Sequence, residues 1–597
     1  MKIKRFLYLI FVIACIGLHS CDFLEITPTN MLSEEAVKND PVLVNAYLTK
    51  VYRGIRWQSG GRGDGWQFGW GANSDRNQTF MGVVGGELNN FAAWQQPWVA
   101  ATHIMNENGA HAELDYWPYE NIRSTNEIIE ILQEAAFDPD LVALKIAEAR
   151  WLRAFMYFEL VKRYGGVPLI TEPQSILEED LSVARSSEKE LYDFIASEMD
   201  DIVNVLPGSY PDEYGRPTKW AAYALKSRAM LYAGSVAKYG TVQLNGLLGI
   251  PAAEASNYFK EAYDAAMEII EKSPHPLYTG GTDPVKRFGD IHCKDNNPEV
   301  IFVEVWDVSL LKGHSWAYVT PPMEVAIARG GPSSASNHHM YLESFEKFEY
   351  KDGTSGALNR ADLNNNTKFS LQDLILNRDP RFLATASYPE MMWDNSIKIF
   401  FHNNNLGASA PDGWPAQSEP RNRQVTGLLV RKRVDETRSD NLVALNRDDI
   451  DWIVFRTGEM YLNAAEAAFE RGDVPEAKRL IKILRDRVAM PPKDDLTIED
   501  IRNERFVELF NEEHRYWDVR RWRIAVAELH GKGFSGLTWN YHPEDDMYTL
   551  VLRTGATADF NGMRTFSERN YYMPIRQNRI AASPKLVENP GYVTNTE

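Results

Sequence analysis

The chain has 597 residues, 44% hydrophobic and 12% aromatic, with 64 basic against 83 acidic side chains and a formal net charge of −19. That balance argues against nucleic acid and other anionic partners, and its even spread along the chain is that of a soluble surface. Of three cysteines, Cys15 and Cys21 sit at the extreme N-terminus, leaving Cys293 with no intrachain partner; a body this long buries enough apolar surface without a disulfide.

The chain opens as an export signal. Lys2, Lys4 and Arg5 precede an apolar run from Phe6 to Leu18, shorter than the roughly 20 residues a membrane span needs. It closes on Leu18-His19-Ser20-Cys21. A cysteine directly after the small Ser20 is where a bacterial lipoprotein is acylated, so residues 1–20 read as a cleaved signal and Cys21 as the lipidated first residue. A tail follows to position 45. At about 0.8 kcal/mol per buried CH₂, several acyl chains anchor the protein firmly to one membrane face without crossing it.

Residues 46–272 read as helical scaffold interrupted by an unusual stretch over 57–98. It holds Trp57, Trp66, Trp70, Trp94 and Trp98 among many glycines, a composition that opposes helix and favours a long ordered loop. Indole faces there suit the apolar C–H face of a sugar ring, while Asn73, Asp75, Arg76 and Asn77 can bond its hydroxyls. The alternative is that these tryptophans staple the loop to the body. Beyond it, Ala147, Trp151, Ala154, Phe155, Phe158 and Val161 recur at helical spacing until Gly165-Gly166-Val167-Pro168 stops the helix. Further helices are predicted over 188–206, 219–239 and 253–272.

From 273 to 449 the texture changes to short runs rich in proline, glycine and asparagine, read as a loop-rich ligand-binding lobe. Strands are predicted over 298–308 and 397–402, and a long polar loop over 403–421. Trp316 ranks with Trp66, Trp70, Trp94 and Trp98 as a ligand contact; Trp306, Tyr341, Trp393 and Trp414 are further candidates. Helical periodicity resumes over 450–597, with helices predicted at 456–471, 474–488 and 498–523. Paired helices of this length are the mark of tetratricopeptide-type repeats. The fold class is therefore mainly α: a tetratricopeptide-like helical-pair scaffold and a loop-rich second lobe with a few short strands. Trp151, Trp220, Trp452, Trp517 and Trp522 fall in helical motifs and are assigned to the core.

Catalytic and metal signatures fail. Gly313-His314-Ser315-Trp316 begins like a nucleophile elbow, but Ala317 stands where the second glycine belongs. No HExxH pair occurs, and the adjacent His338 and His339 cannot share a metal from one helix face. Asp362, Asn364, Asn366, Ser370 and Asp373 fall at calcium-loop spacing, but Thr367 replaces the turn glycine and Asp373 the long bidentate glutamate. No metal, cofactor or enzymatic activity is expected. The charges from Arg502 to Arg521 read as ion pairs locking helices together rather than as a site.

Five stretches in order resemble the SusD/RagB family of surface lipoproteins from Bacteroidetes-type bacteria: 148–170 (EARWLRAFMYFELVKRYGGVPLI), 221–234 (AAYALKSRAMLYAG), 456–468 (RTGEMYLNAAEAA), 501–523 (IRNERFVELFNEEHRYWDVRRWR) and 571–592 (YYMPIRQNRIAASPKLVENPGY). The resemblance implies a glycan-binding lid on a SusC-like TonB-dependent outer-membrane transporter. Within the same family the ligand could be a peptide; a surface glycoside hydrolase would need a carboxylate pair across a cleft. Cys21→Ala is expected to abolish acylation and release the protein from membranes on fractionation. A variant still membrane-bound after removal of the transporter contradicts the anchor.

Overall fold

Aspartates set the starts of many helices. Asp40, Asp138, Asp283, Asp379 and Asp473 each cap a helix with proline in its first turn, the carboxylate accepting a backbone N–H one turn in. The cap satisfies an orphaned donor, and proline supplies a preset φ where no N–H is needed. The computed structural model describes residues 34–55, 57, 80–90, 105, 109 and 114–592, apart from 176, 178–179, 212–213, 295, 311, 331–335, 337, 400–402, 405–425, 439–446 and 560–561.

The long helices are α1 (Pro41–Gly54), α2 (Tyr119–Gln133), α3 (Pro139–Tyr164), α4 (Glu188–Ile202), α5 (Lys219–Tyr239), α6 (Ala255–Lys272), α7 (Thr457–Glu470), α8 (Val474–Arg487) and α9 (Ile498–Glu508). Each from α1 to α7 packs on the next, α6 directly on α7, and α9 packs on α7. The helices on either side of the loop-rich region thus stack as one series, a tetratricopeptide-like scaffold. Small residues permit the approach: a methyl group at Gly234 of α5 would lie 2.7 Å from the Phe259 ring of α6. α3 ends at Gly165, whose φ of +69° and contact with Leu248 leave no room for a side chain.

Strands are few and short. Val300–Glu304 pairs antiparallel with Trp452–Arg456, so the predicted strand over 298–308 forms with fewer residues. A hairpin of Gly536–His542 and Met547–Arg553 was not expected; its inward Leu537, Trp539, Tyr548 and Leu550 alternate, and the turn between them is polar. A four-stranded sheet joins Leu88–Asn90, His338–Met340, Leu429–Val430 and Ala386–Ser387 in that order. The main core lies between the scaffold helices. A second core gathers Val83, Leu88, Trp316, Trp393, Leu429 and Phe510 with the hairpin.

The helix predicted over 498–523 is broken. α9 stops at Glu508, and helix resumes at Arg515–Arg521 (α10). Between them Asn511 and Glu513 take positive φ of 56° and 65°, a conformation that costs a non-glycine residue energy. Tertiary bonds override the local periodicity: Glu512 is drawn onto Arg456 and Lys432, and Glu513 onto the N–H of Met81.

The charges of α9 do lock elements together, but mostly across the fold and in the interior. Arg456 reaches Glu299 at 2.8 Å, Glu508 at 2.7 Å and Glu512 at 2.8 Å. Glu508 also meets Arg487 and Arg381; Glu504 meets Arg381 and Arg485. All are buried. Burial pushes the Glu508 carboxyl up, but the guanidiniums of Arg487, Arg456 and Arg381 outweigh it and hold it far below the usual glutamate range. Glu504 and Glu466 are depressed in the same way by their arginines. A depressed carboxyl contributes stability that is present above its unfolded pKa and lost as pH falls toward the folded value. The melting temperature is therefore expected to fall as pH drops below about 4.5. Glu508→Ala, which takes one carboxylate partner from each of three buried arginines, is expected to cost about 3–5 kcal/mol in denaturant unfolding.

Candidate functional site

The residues ranked first as ligand contacts, Trp66, Trp70, Trp94 and Trp98 with Asn73, Asp75, Arg76 and Asn77, lie outside the described residues, as do Cys21 and Trp414. What the structure describes is how the stretches that carry them are rooted. Trp57, on the N-terminal side, is inserted into the main core, its ring 5.1 Å from Phe155, 5.6 Å from Phe302 and 6.5 Å from Trp151. This member of the tryptophan-rich stretch is a staple. On the C-terminal side, the short helix Phe80–Val84 places Met81 and Val84 in the main core and Val83 in the second.

The chain then enters the four-stranded sheet at Leu88 and leaves it at Asn90, beside His338. The other polar stretch, 405–425, is rooted close by. Asn403–Asn404 pairs parallel with Asn540–Tyr541 of the hairpin, and the returning Thr426 carbonyl accepts the Leu537 N–H at 2.7 Å. Gly427, at φ +77°, presses so closely on Leu537 that only glycine fits, and its carbonyl accepts the Trp539 indole N–H at 2.7 Å. The Leu428 carbonyl accepts the Met340 N–H at 3.0 Å. The sheet and hairpin thus bring together the roots of the two chain regions that carry the aromatic candidates.

Trp316 does not belong to an aromatic platform. Its side chain is 2% exposed, its indole N–H donates to the Lys432 carbonyl at 2.9 Å, and its ring lies 4.4 Å from His338 and beneath the Arg433 guanidinium. Burial holds His338 neutral, well below the usual histidine range, which suits a ring stacked in the interior. Trp393 at 0% and Trp306 at 7% exposure are likewise core, and the Tyr341 hydroxyl is bound by Asp559 and Arg564. Sequence composition could not separate these indoles from surface ones, because the short elements of this lobe bury side chains without regular periodicity. Trp151, Trp220, Trp452, Trp517 and Trp522 are buried, as assigned.

The motifs set aside on sequence have structural partners of their own among the described residues. The His314 ring is held in the interior, Nε2 donating to the Ile450 carbonyl at 2.9 Å and Nδ1 accepting the Trp316 N–H at 3.3 Å with the Asp448 carboxylate 3.5 Å away. In the calcium-like segment Asn364 accepts the Leu552 N–H and Ser370 donates to Asp373. Among the described residues no group of three or more His, Cys, Asp or Glu is placed to hold a metal. A small cavity of about 20 Å³ lies between Lys162, Glu188, Trp517 and Tyr572, the dimensions of a water site.

With fold and site in place, comparison with known proteins identifies the class. Residues 298–592 match the SusD family, and residues 22–231 match a family described as "Starch-binding associating with outer membrane". The chain belongs to the SusD/RagB family. It is 25% identical over 400 residues to the SusD-like protein P25 of Formosa agariphila, a match spanning 64% of this chain and 64% of that relative's length. A SusD-like protein from Bacteroides fragilis superposes with a TM-score of 0.70 at 24% identity, covering 94% of this chain and 99% of the other. A SusD-like carbohydrate-binding protein from the same species gives 0.66 at 20% identity, over 92% and 99%.

Trp316→Ala is expected to lower stability by about 3–5 kcal/mol, the cost of a buried aromatic cavity, while leaving affinity for any surface ligand unchanged. Melting curves paired with calorimetry on the identified ligand check both.

Proposed function

We propose that this protein is a cell-surface, lipid-anchored glycan-binding protein that captures oligosaccharide and passes it to a SusC-like TonB-dependent outer-membrane barrel. Family membership, together with the rooting of the aromatic-rich 57–98 and polar 405–425 stretches on one sheet and hairpin, carries this reading. The lipid at Cys21 holds the protein at the membrane. No helix among the described residues is long and apolar enough to cross one, so a captured glycan needs a separate channel. No bond is made or broken: Trp66, Trp70, Trp94 and Trp98 supply stacking faces, and Asn73, Asp75, Arg76 and Asn77 supply hydroxyl partners.

Binding through a few flat contacts gives millimolar to micromolar affinity, about −4 to −8 kcal/mol, which suits a ligand that must later be released. A glycan array should identify the sugar, and each of Trp66→Ala, Trp70→Ala, Trp94→Ala and Trp98→Ala is then expected to lose about 1–3 kcal/mol of binding without loss of melting temperature. If all four bind as wild type, these residues are not the platform. Binding of peptides but no glycan would move the ligand class while leaving the capture role. Co-purification in mild detergent is expected to bring down a large β-barrel.

A further inference from the structure

The short helix Phe80–Val84 is held to the turn between α9 and α10 by a reciprocal exchange. The Met81 N–H donates to Glu513 Oε2 at 2.7 Å, and the Asn511 N–H donates to Glu87 Oε1 at 3.1 Å. Each segment's backbone therefore binds the other's carboxyl. The two carboxyls flank Gly82: Glu513 sits at the N–H groups of Met81 and Gly82, and a methyl group at Gly82 would touch Glu87 Oε2 at 3.3 Å. Both glutamates are about 1% exposed.

Their remaining oxygens, Glu87 Oε2 and Glu513 Oε1, have no hydrogen-bond partner. Among the described residues no ammonium or guanidinium pairs with either carboxyl. Of the nearby cations, Lys432 is bound to Glu512 and Arg515 to Glu528; Arg433, over the rings of Trp316 and Trp452 with a buried Nη2 that makes no hydrogen bond, attracts Glu513 from a distance without forming an ion pair with it. Asp518, the other charge near Glu87, is bound to Arg505 and Arg521 and adds repulsion. Two buried carboxylates on either side of one glycine, repelling each other and neither in an ion pair, are costly to keep both charged. A metal is a poor remedy beside Arg433 and Arg515, and a proton suffices.

We propose that Glu87 and Glu513 form a protonated clasp, at least one of them a neutral acid at the pH where the clasp is closed, so that the grip of Phe80–Val84 on the α9–α10 turn weakens as pH rises. Consistent with this, burial pushes Glu87 up to about 7 against the Asn511 N–H and Arg515, and pushes Glu513 well above the ordinary range, with the Glu87 charge adding to it. A raised carboxyl binds more protons folded than unfolded, so its contribution falls as pH climbs from the ordinary glutamate value of 4.5 through about 7. The sign is opposite to that of the Glu508 network. The positive φ of Asn511 and Glu513 stores strain on the turn side of the clasp.

The clasp is independent of what the protein binds. The test uses full-length protein in detergent, with infrared difference spectra between about pH 6 and about pH 8 and backbone hydrogen exchange of the peptide containing Phe80–Val84. A protonated-carboxyl stretching band is expected at the lower pH and lost at the higher. Exchange, corrected for its intrinsic pH dependence, is expected to rise about tenfold, the effect of one pKa unit. Glu513→Gln and Glu87→Gln, which keep shape without titrating, are expected to diminish the band and flatten the exchange profile. Absence of the band in wild type, or the same exchange rise in both variants, overturns the proposal. Should either variant fail to fold, the wild-type band and exchange profile alone decide it.

Discussion

The architecture turns on the burial of Arg456 among Glu299, Glu508 and Glu512. A guanidinium is a rigid fork of donors, and here every arm is used, so the strand carrying Arg456, α9 and the turn after it have one mutual placement. Arg381 and Lys432 extend the network into the second lobe, and Arg487 and Arg485 extend it into α8. None of these charges tolerates burial without the rest, so the helical scaffold and the loop-rich lobe fold as a unit. Hydrophobic contact alone would let the lobes slide; paired charges in a low-dielectric interior do not.

That junction is bonded to a segment that roots the stretch where ligand capture is proposed. Glu512 is in the network, and its neighbour Glu513 reaches Met81, which lies within the tryptophan-rich stretch between Trp70 and Trp94. The strained turn at Asn511 and Glu513 thus has a charge-paired side and a proton-dependent side within three residues. Acid loosens one and tightens the other.

Much of the scaffold was legible because helices carry redundant signals. A capping Thr218, small apolar positions and the stop at Gly240 agree with one another, so α5 spans the residues its periodicity indicates. The α9–α10 break was not legible, since glutamates at helical spacing say nothing of arginines far along the chain. In the second lobe the failure is different. Trp316 and Trp393 sit on elements of only a few residues, too short for a period to show which way a side chain faces. The tryptophan cluster itself stood out by composition alone, and Trp57 shows that one of its members serves the core. The hairpin carries alternation in Leu537, Trp539, Tyr548 and Leu550, but it falls within 450–597, where helical periodicity dominates the pattern.

The chain between Asn404 and Thr426 begins and ends on one strand of that hairpin, its roots fixed by the pairing of Asn403 with Asn540 and the bond from Leu537 to Thr426. Closing a segment whose ends are already held together grows costlier only with the logarithm of its length, about 0.6 kcal/mol for each doubling. Residues can be inserted or deleted there at little expense to stability, while Gly427 and the strand beneath keep their places. Evolution can therefore rewrite the chemistry of this stretch in whole segments, leaving the body that roots it unchanged.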